Sequence, residues 1–245
     1  MATTRFRWRI DWRLTLLTAV LLPLCLSLGV WQLGRAQEKA VLAATFAERR
    51  AQPAQALDEA AADLPDYTPV WLAGRYLDER YFLLDNSVRN RQFGFEVVAP
   101  FVTGGGKVVL VNRGWIAGDP GRRTLPDINV PNGHYRLTGY VHRPLLGPRL
   151  GADADDRSWP QIVQQPDIEL LAKRLRQPLP GYIIRLDADA PTALLTGWPV
   201  ISQTPATHIG YAVQWFGLAA VAIGGWLLAS TNLLQLIRGN RNGGK

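Results

Sequence analysis

The sequence predicts a membrane protein in which two transmembrane helices flank a mainly β (α+β) extramembrane domain, built as a small barrel or a curved sheet. Three observations predict this fold class. Apolar residues are concentrated in one long stretch near each end of the chain, short strand-like runs alternate with turn residues between the two stretches, and basic tails lie outside them. The positions of these features divide the chain into five segments.

The two apolar stretches, Leu14–Leu33 and Ile209–Ile237, contain no Asp, Glu, Lys, Arg or His. About 20 apolar residues in a helix cross the ~30 Å hydrocarbon core with every backbone group bonded internally. Pro23 lies in the first stretch and is tolerated in membrane helices. We therefore predict transmembrane helices over residues 14–33 and 209–230, with the rest of the second stretch emerging at the interface.

An alternative for the first stretch is a cleaved signal peptide, since several arginines precede it. However, the apolar run is long for a signal peptide and ends in Gly29-Val-Trp-Gln-Leu-Gly-Arg35 instead of a small-residue cleavage site. A retained anchor fits the sequence better.

Lys and Arg near the span ends predict the orientation, because positive loops tend to stay in the cytoplasm. The basic tails, residues 1–13 and 231–245, are expected to be cytoplasmic, and the middle domain, residues 34–208, is expected to be periplasmic. The Arg-rich leader directly abuts the first span and leaves little room for a transit peptide, which favours a bacterial inner (plasma) membrane over a mitochondrial location.

The formal net charge of +7 lies largely in these tails, and no basic stripe with interleaved aromatics suggests nucleic-acid binding. The lipid bilayer is the partner that the composition indicates. Cys25 is the only cysteine and lies in the first span, which excludes an intramolecular disulfide and a Cys-x-x-Cys redox pair.

The middle domain is predicted to contain strands, since short runs rich in Val, Ile, Leu and aromatics recur along it. Gly104–Gly106 is a predicted hairpin turn, Asp167–Arg176 a short helix, Gln52–Pro65 a connector and Pro144–Pro160 a loop. The predicted strands are Val70–Leu77, Tyr81–Leu84, Phe93–Phe101, Lys107–Ile116, Tyr135–His142 and Tyr182–Leu186.

Motifs typical of enzymes are absent. There is no Gly-x-Ser-x-Gly elbow, Walker loop, Gly-x-Gly-x-x-Gly or His-Glu-x-x-His, and the chain has three histidines in all. Asp153, Asp155 and Asp156 resemble the start of a calcium loop but lack its Gly and Glu, so a solvated acidic loop is favoured. We predict that the protein is not an enzyme, while an outward-facing hydrolase would need a nucleophile–base pair that few histidines can supply.

The second span opens with an unusual cluster of polar and aromatic residues. Helical spacing places His208, Tyr211 and Trp215 on one face, and Gln214 is an amide that needs partners in apolar surroundings. An interfacial aromatic belt is one interpretation. The other is a haem site, because an imidazole at the membrane edge can ligate iron and aromatics can flank a porphyrin.

The first helix ends in Trp31-Gln32, in the same leaflet as His208 if the two helices pack side by side. Trp31 and Gln32 could then join His208, Gln214 and Trp215 in one pocket wall. Geometry permits this arrangement without requiring a ligand.

Four motifs, in this order, resemble the surfeit locus protein 1 family. They are Gly29-Val-Trp-Gln-Leu-Gly-Arg35, Gly94-Phe-Glu-Val-Val-Ala-Pro-Phe101, Val111-Asn-Arg-Gly-Trp-Ile116 and His208-Ile-Gly-Tyr-Ala-Val-Gln-Trp-Phe216. The resemblance spans Gly29–Phe216. It implies a role in assembling cytochrome c oxidase, with haem a bound through the second-span histidine, which matches His208 as metal ligand.

The resemblance also implies partners, namely the haem-bearing subunit of the oxidase and other oxidase assembly factors. An alternative function is a cofactor-free membrane interaction protein that stabilises an oxidase assembly intermediate. Arg113 has two interpretations as well. It anchors a turn at a strand end, or its guanidinium pairs with a haem propionate or a partner carboxylate.

Overall fold

The computed structural model describes residues 7–60, 63–77, 79–121, 123–147, 158–198 and 203–232, apart from the side chain of Asn86. The chain forms two compact units. The first contains Met1–Ala44 and Val200–Lys245 and is helical, whereas the second, Thr45–Pro199, is mainly β.

The elements follow one another as a long helix, a run of strands interrupted by one short helix, and a second long helix. The helices are α1 (Trp12–Arg50), α2 (Ile168–Leu175) and α3 (Pro205–Ser230). The strands are β1 (Gln55–Ala56), β2 (Pro69–Tyr76), β3 (Phe82–Arg89), β4 (Gln92–Thr103), β5 (Val108–Ala117), β6 (Tyr135–His142), β7 (Gln161–Val163) and β8 (Ile183–Leu186).

Both long helices begin at capping residues and are long and apolar enough to cross a membrane. The carboxylate of Asp11 accepts hydrogen bonds from the backbone N–H groups of Arg13 and Leu14 at the start of α1. Thr204 caps α3, and Pro205 occupies its first turn, where no N–H is needed. Pro23 lies inside α1, which continues as one helix beyond the predicted span.

The two ends of the helical unit are joined by backbone pairing. Trp8 forms an antiparallel bridge with Thr231. The Arg9 N–H donates to the Ser230 carbonyl at 2.7 Å, and the Asn232 N–H donates to the Arg7 carbonyl at 3.2 Å. The first residues of the described chain are therefore tied to the residues that follow α3.

The β domain contains a five-stranded barrel. The strands β2, β6, β8, β5 and β4 form a closed ring, because β2 pairs with β6 on one side and with β4 on the other. β8 lies between β5, to which it is parallel, and β6, to which it is antiparallel. Closure pairs the edges that an open sheet would leave exposed.

Alternating side chains of the barrel strands build two apolar clusters. Val111 and Ile184 belong to the larger cluster, together with Leu72, Phe101 and Leu137. Their neighbours Leu110 and Ile183 point to the opposite face, where Leu171 and Leu175 of α2 cover them. The period of two in the strands and the apolar stripe of α2 explain this layering.

The final turn of α1 packs on the β domain to which it belongs. The ring of Phe46 meets Tyr67 and Tyr140 edge-on, with centroid distances of 5.1 and 5.8 Å. Arg50 pairs with Asp187 at 2.6 Å and lies 4.8 Å from the Tyr140 ring centroid. Burial raises the pKa of Tyr140 to about 12, partly opposed by Arg185 and Arg50.

The predicted architecture is confirmed, since one apolar helix precedes and another follows, along the chain, a β domain that closes into a barrel. The sequence missed the two shortest strands, β1 in the predicted connector and β7. Part of the predicted loop 144–160, including Asp153, Asp155 and Asp156, lies outside the described residues, as do Arg5 and most of the C-terminal basic tail.

Candidate functional site

α1 and α3 pack against each other along a repeating seam. One set of buried and partly buried residues on each helix recurs at alternating spacings of three and four, which is the heptad pattern of packed helices. On α1 these residues are Thr15, Thr18, Leu22, Cys25, Gly29, Gln32 and Ala36, and on α3 they are His208, Ala212, Trp215, Ala219, Ala222 and Trp226.

Two hydrogen bonds fix the antiparallel register of this seam. Near the start of α1, the Thr15 hydroxyl accepts from the indole N–H of Trp226 at 3.0 Å. At the other end of the seam, Nδ1 of His208 lies 2.8 Å from Oε1 of Gln32. Interhelical hydrogen bonds of this kind contribute about 0.6–2 kcal/mol each in membranes.

His208 is the most constrained polar side chain of the pair. It is 7% exposed, and its Nε2 atom is buried without a hydrogen-bond partner in the part of the chain that the structure describes. A buried polar atom without a partner is costly in apolar surroundings. Nδ1 therefore has Gln32 as its partner, whereas Nε2 has none among the described residues.

Gly29 allows the helices to approach closely beside this pair. A Cβ atom built on Gly29 would lie 2.6 Å from the ring of Phe216. Small residues at helix contacts let backbones come together in membranes. Gln32 lies one turn farther along the same face of α1. Gly29 therefore permits the packing that brings Gln32 to His208.

The other predicted pocket residues of the helices are distributed over several faces. Trp215 is partly buried in the seam, whereas Trp31 and Tyr211 are 55% and 45% exposed. Gln214 is exposed on a face away from α1 and makes no hydrogen bond within the described residues. The structure brings Gln32, His208 and Trp215 into one seam, but it does not bring Gln214 to α1.

Arg113 belongs to the β domain, where it is 5% exposed. Its Nε donates to the Thr192 carbonyl at 3.0 Å and its Nη1 to the Asn129 carbonyl at 3.1 Å. The guanidinium also lies 5.6 Å from the ring centroid of Tyr76. Burial lowers the pKa of Arg113, and the nearby Tyr76 hydroxyl opposes that effect. These contacts describe a cation that ties loops to the barrel.

The residues of the Gly94 and Asn112 motifs meet on β4 and β5. The Asn112 amide donates to the Glu96 carboxylate at 2.8 Å, and its carbonyl oxygen accepts from the Gly114 N–H at 3.1 Å. The register shifts between Val97 and Val98 opposite this point. Gly114 has φ +127° there, a conformation that favours glycine.

Comparison with known proteins identifies the family to which the chain belongs. The SURF1 family matches residues 19–220, a range that includes most of α1, the first part of α3 and the whole β domain. The chain belongs to the SURF1 family. Membership implies a role in the assembly of cytochrome c oxidase, and the resemblance read from the four motifs is confirmed.

Similar SURF1-like proteins occur in eukaryotes and bacteria. One from Monosiga brevicollis is 27% identical over 238 residues, covering 88% of this chain and 85% of that protein. One from Rickettsia bellii is 29% identical over 213 residues, covering 84% of each chain. A third, from Rickettsia felis, is 26% identical over 230 residues and covers 90% of this chain and 98% of the relative.

Sequence reasoning missed two contributors to the seam between α1 and α3. One is Gly29 as a contact residue, and the other is the hydrogen bond between Thr15 and Trp226. The heptad spacing of small and polar residues was the signal that could have found them. No group of three or more His, Cys, Asp or Glu within the described residues could hold a metal ion.

The donor chemistry at His208 fits an axial haem ligand. A haem iron takes an imidazole nitrogen, and a ligating histidine commonly donates its other N–H to a protein acceptor. Nε2 and the Gln32 contact match those two requirements. Because Nε2 is buried in this conformation, ligation requires the side chains around it to move.

Proposed function

We propose that this member of the SURF1 family binds haem a at His208 and assists its insertion into the haem-bearing subunit of cytochrome c oxidase. The observation that supports the proposal is the buried His208, whose Nδ1 contacts Gln32 and whose Nε2 has no partner among the described residues. Bound haem a would supply an iron centre that the His208 imidazole would help to hold. The proposal assigns the chain no reaction, in keeping with an assembly-factor family.

The other residues predicted for the site differ in what they would contribute to haem binding. Trp215 lies in the seam with His208, and the exposed rings of Trp31 and Tyr211 offer aromatic surface for an apolar macrocycle. The exposed Gln214 amide would gain a partner from a bound ligand or a neighbouring helix. Arg113 is left out of the proposed site, since its guanidinium donates to two carbonyls within the β domain.

The proposed setting is a bacterial inner membrane with both termini in the cytoplasm and the β domain in the periplasm. The two long apolar helices support a membrane location. The basic residues before α1, and the absence of Lys and Arg from residues 188–207 before the second span, support the orientation. Other oxidase assembly factors are proposed partners at this membrane.

The absorption spectrum of the purified protein tests haem binding. The full chain, co-expressed with the enzymes that make haem a and purified in detergent, is expected to show a low-spin haem spectrum that His208→Ala reduces. His134→Ala is the matched control, because His134 is exposed in the β domain. An unchanged spectrum in His208→Ala would exclude His208 as the ligand.

A second candidate function is cofactor-free stabilisation of an oxidase assembly intermediate. The burial of Nε2 favours it, since the side chains of the helix pair cover that nitrogen. Affinity capture of the immature oxidase subunit separates the two functions. The second function predicts capture that survives His208→Ala with no haem in the purified complex, whereas the first predicts co-purified haem that depends on His208.

A further inference from the structure

The contact between Gln32 and His208 joins residues that are 176 positions apart in sequence. It exists because α1 and α3 are antiparallel, which places the middle of α1 beside the first turn of α3. Gln32 is partly buried and His208 almost fully so. Two motifs at opposite ends of the chain thus form one structural unit within the helix pair.

Because Nε2 of His208 has no hydrogen-bond partner among the described residues, it indicates which ring nitrogen of the neutral imidazole carries the proton. If the Gln32 amide NH₂ donated to Nδ1, the proton of the neutral imidazole would be on Nε2, and a buried N–H would be left without an acceptor. If Nδ1–H donates to Gln32 Oε1, the unpaired group on Nε2 is a lone pair instead. Unpaired buried donors are rarer in proteins than underused acceptors. The second arrangement is therefore the favoured one.

A lone pair on Nε2 is the state that a metal ion requires. Which imidazole nitrogen is metallated is set by the hydrogen bond of the other nitrogen, and that bond also orients the ring and raises the basicity of the ligand. We propose that Gln32 is a positioning residue that holds His208 as the Nδ1–H tautomer with Nε2 free to coordinate iron. The inference deepens the proposed function and rests on it for its haem-binding part.

This assignment differs from the role that the sequence suggested for Gln32, which was one wall of a pocket. Its amide oxygen is used by His208, so its effect on a bound haem would be exerted through the imidazole. A side chain that only fills space would be replaceable by an apolar one of similar size. A positioning residue needs an acceptor oxygen at the same reach.

The tautomer can be measured without haem. The chain has three histidines, so long-range ¹H–¹⁵N correlation spectra of the uniformly ¹⁵N-labelled full chain in detergent contain three imidazoles, and His208→Ala identifies the one at issue. The expected result is a His208 with protonated Nδ1 and unprotonated Nε2. Gln32→Leu should abolish that pattern, whereas Gln32→Glu, which retains an oxygen acceptor, should preserve it. A wild-type His208 protonated at Nε2 would overturn the inference.

Haem a titrated into the same detergent-solubilised variants tests the consequence. Gln32→Leu is expected to weaken haem affinity by about 10–100-fold, the usual effect of losing such a partner. Gln32→Glu should restore affinity and lower the reduction potential, because a carboxylate makes the imidazole more electron-rich. Gln37→Leu is the control, since Gln37 is exposed on the same helix. Equal affinity and potential in wild type and Gln32→Leu would overturn the positioning role.

The two measurements test haem binding and the role of Gln32 independently of each other. If no haem binds to any variant while His208 keeps the Nδ1–H pattern only with an acceptor at position 32, haem binding is excluded and the proton placement by Gln32 is retained. If haem binds through His208 but the spectra show Nε2–H or no response to Gln32→Leu, haem binding is retained and the role of Gln32 is excluded.

Discussion

Individual side chains in this protein show how costly groups are accommodated. Arg113 is a buried cation in the β domain whose donors reach the carbonyls of Thr192 and Asn129. Those carbonyls belong to segments outside the barrel strands, so the guanidinium joins them to β5. Removal of Arg113 would leave the buried Thr192 carbonyl and the partly buried Asn129 carbonyl without their donor. A buried polar group without a partner costs about 1–3 kcal/mol.

Arg113→Met should therefore destabilise the protein by about 2–4 kcal/mol, because it removes two hydrogen bonds and a cation–π contact at once. Thermal unfolding of the full chain in detergent measures the loss. Arg136→Met is the matched control, since Arg136 is exposed and also lies over an aromatic ring, that of Trp71 at 4.2 Å. Equal stability of the two variants would show that the carbonyl contacts of Arg113 contribute little.

At the level of residues, the sequence singled out side chains that are chemically conspicuous. An imidazole and an amide at the ends of apolar helices are expensive there, which made His208 and Gln32 candidates before any contact was known. Gly29 was not conspicuous, because a glycine in an apolar helix is ordinary in membranes. Its role depends on the ring of Phe216, which lies on another helix.

At the scale of elements, β4 and β5 show why their motifs contain glycine. A Cβ atom on Gly94 would lie 2.2 Å from the Ile116 carbonyl oxygen and 2.4 Å from the Trp115 ring. The indole of Trp115 covers that position, and its N–H donates to the Ser87 carbonyl at 3.0 Å. Gly94 and Trp115 are therefore complementary parts of one strand pair.

Gly94→Ala should destabilise the β domain by about 1–3 kcal/mol, the usual cost of overpacking. The loss is expected as a lower unfolding temperature together with a change in Trp115 fluorescence, measured by difference from a Trp115→Phe background. Gly104→Ala lies in the turn of the same hairpin, where the nearest atom to a new Cβ is 3.7 Å away, and it should have little effect. An equal loss in both variants would show that the clash at Gly94 is not the cause, because replacing Gly by Ala restricts the unfolded chain and by itself does not destabilise.

The helix pair depends on close approach in the same way. Gly29→Ala would place a methyl group against Phe216 and should push the helices apart beside Gln32 and His208. We expect shifted His208 imidazole resonances in the ¹⁵N-labelled full chain. Gly34→Ala, on the same helix with no atom within 4 Å of a new Cβ, should leave them in place. Unshifted resonances in Gly29→Ala would show that the contact near His208 tolerates expansion.

At the scale of the whole molecule, the sequence predicted the elements better than their assembly. Long apolar runs identify membrane helices because hydrocarbon leaves few alternatives to a helix. The barrel strands were found from local patterns within a few residues. The sequence left open whether the sheet closes into a barrel, since the β2–β4 pairing and the insertion of β8 between β5 and β6 connect distant segments. Such pairings depend on tertiary contacts that no local pattern encodes.

The proposed orientation of the whole molecule can be tested by accessibility. With Cys25 replaced by Ala, single cysteines at Val88 in the β domain and Arg7 in the basic tail each provide one thiol, and both positions are exposed. A membrane-impermeant maleimide applied to spheroplasts should label Val88→Cys directly, and Arg7→Cys only after the membrane is permeabilised. The physical reason is the retention of basic tails on the cytoplasmic side.

A third cysteine, Val221→Cys, provides the internal reference. Val221 is 71% exposed on α3 and lies within the apolar span, so its thiol should face hydrocarbon, where it remains protonated and unreactive. Labelling of Val221→Cys before permeabilisation would mean that α3 does not span the bilayer. Reversed labelling of Val88→Cys and Arg7→Cys would instead retain both spans and invert the topology, placing His208 at the cytoplasmic face and removing the periplasmic setting that the haem proposal assumes.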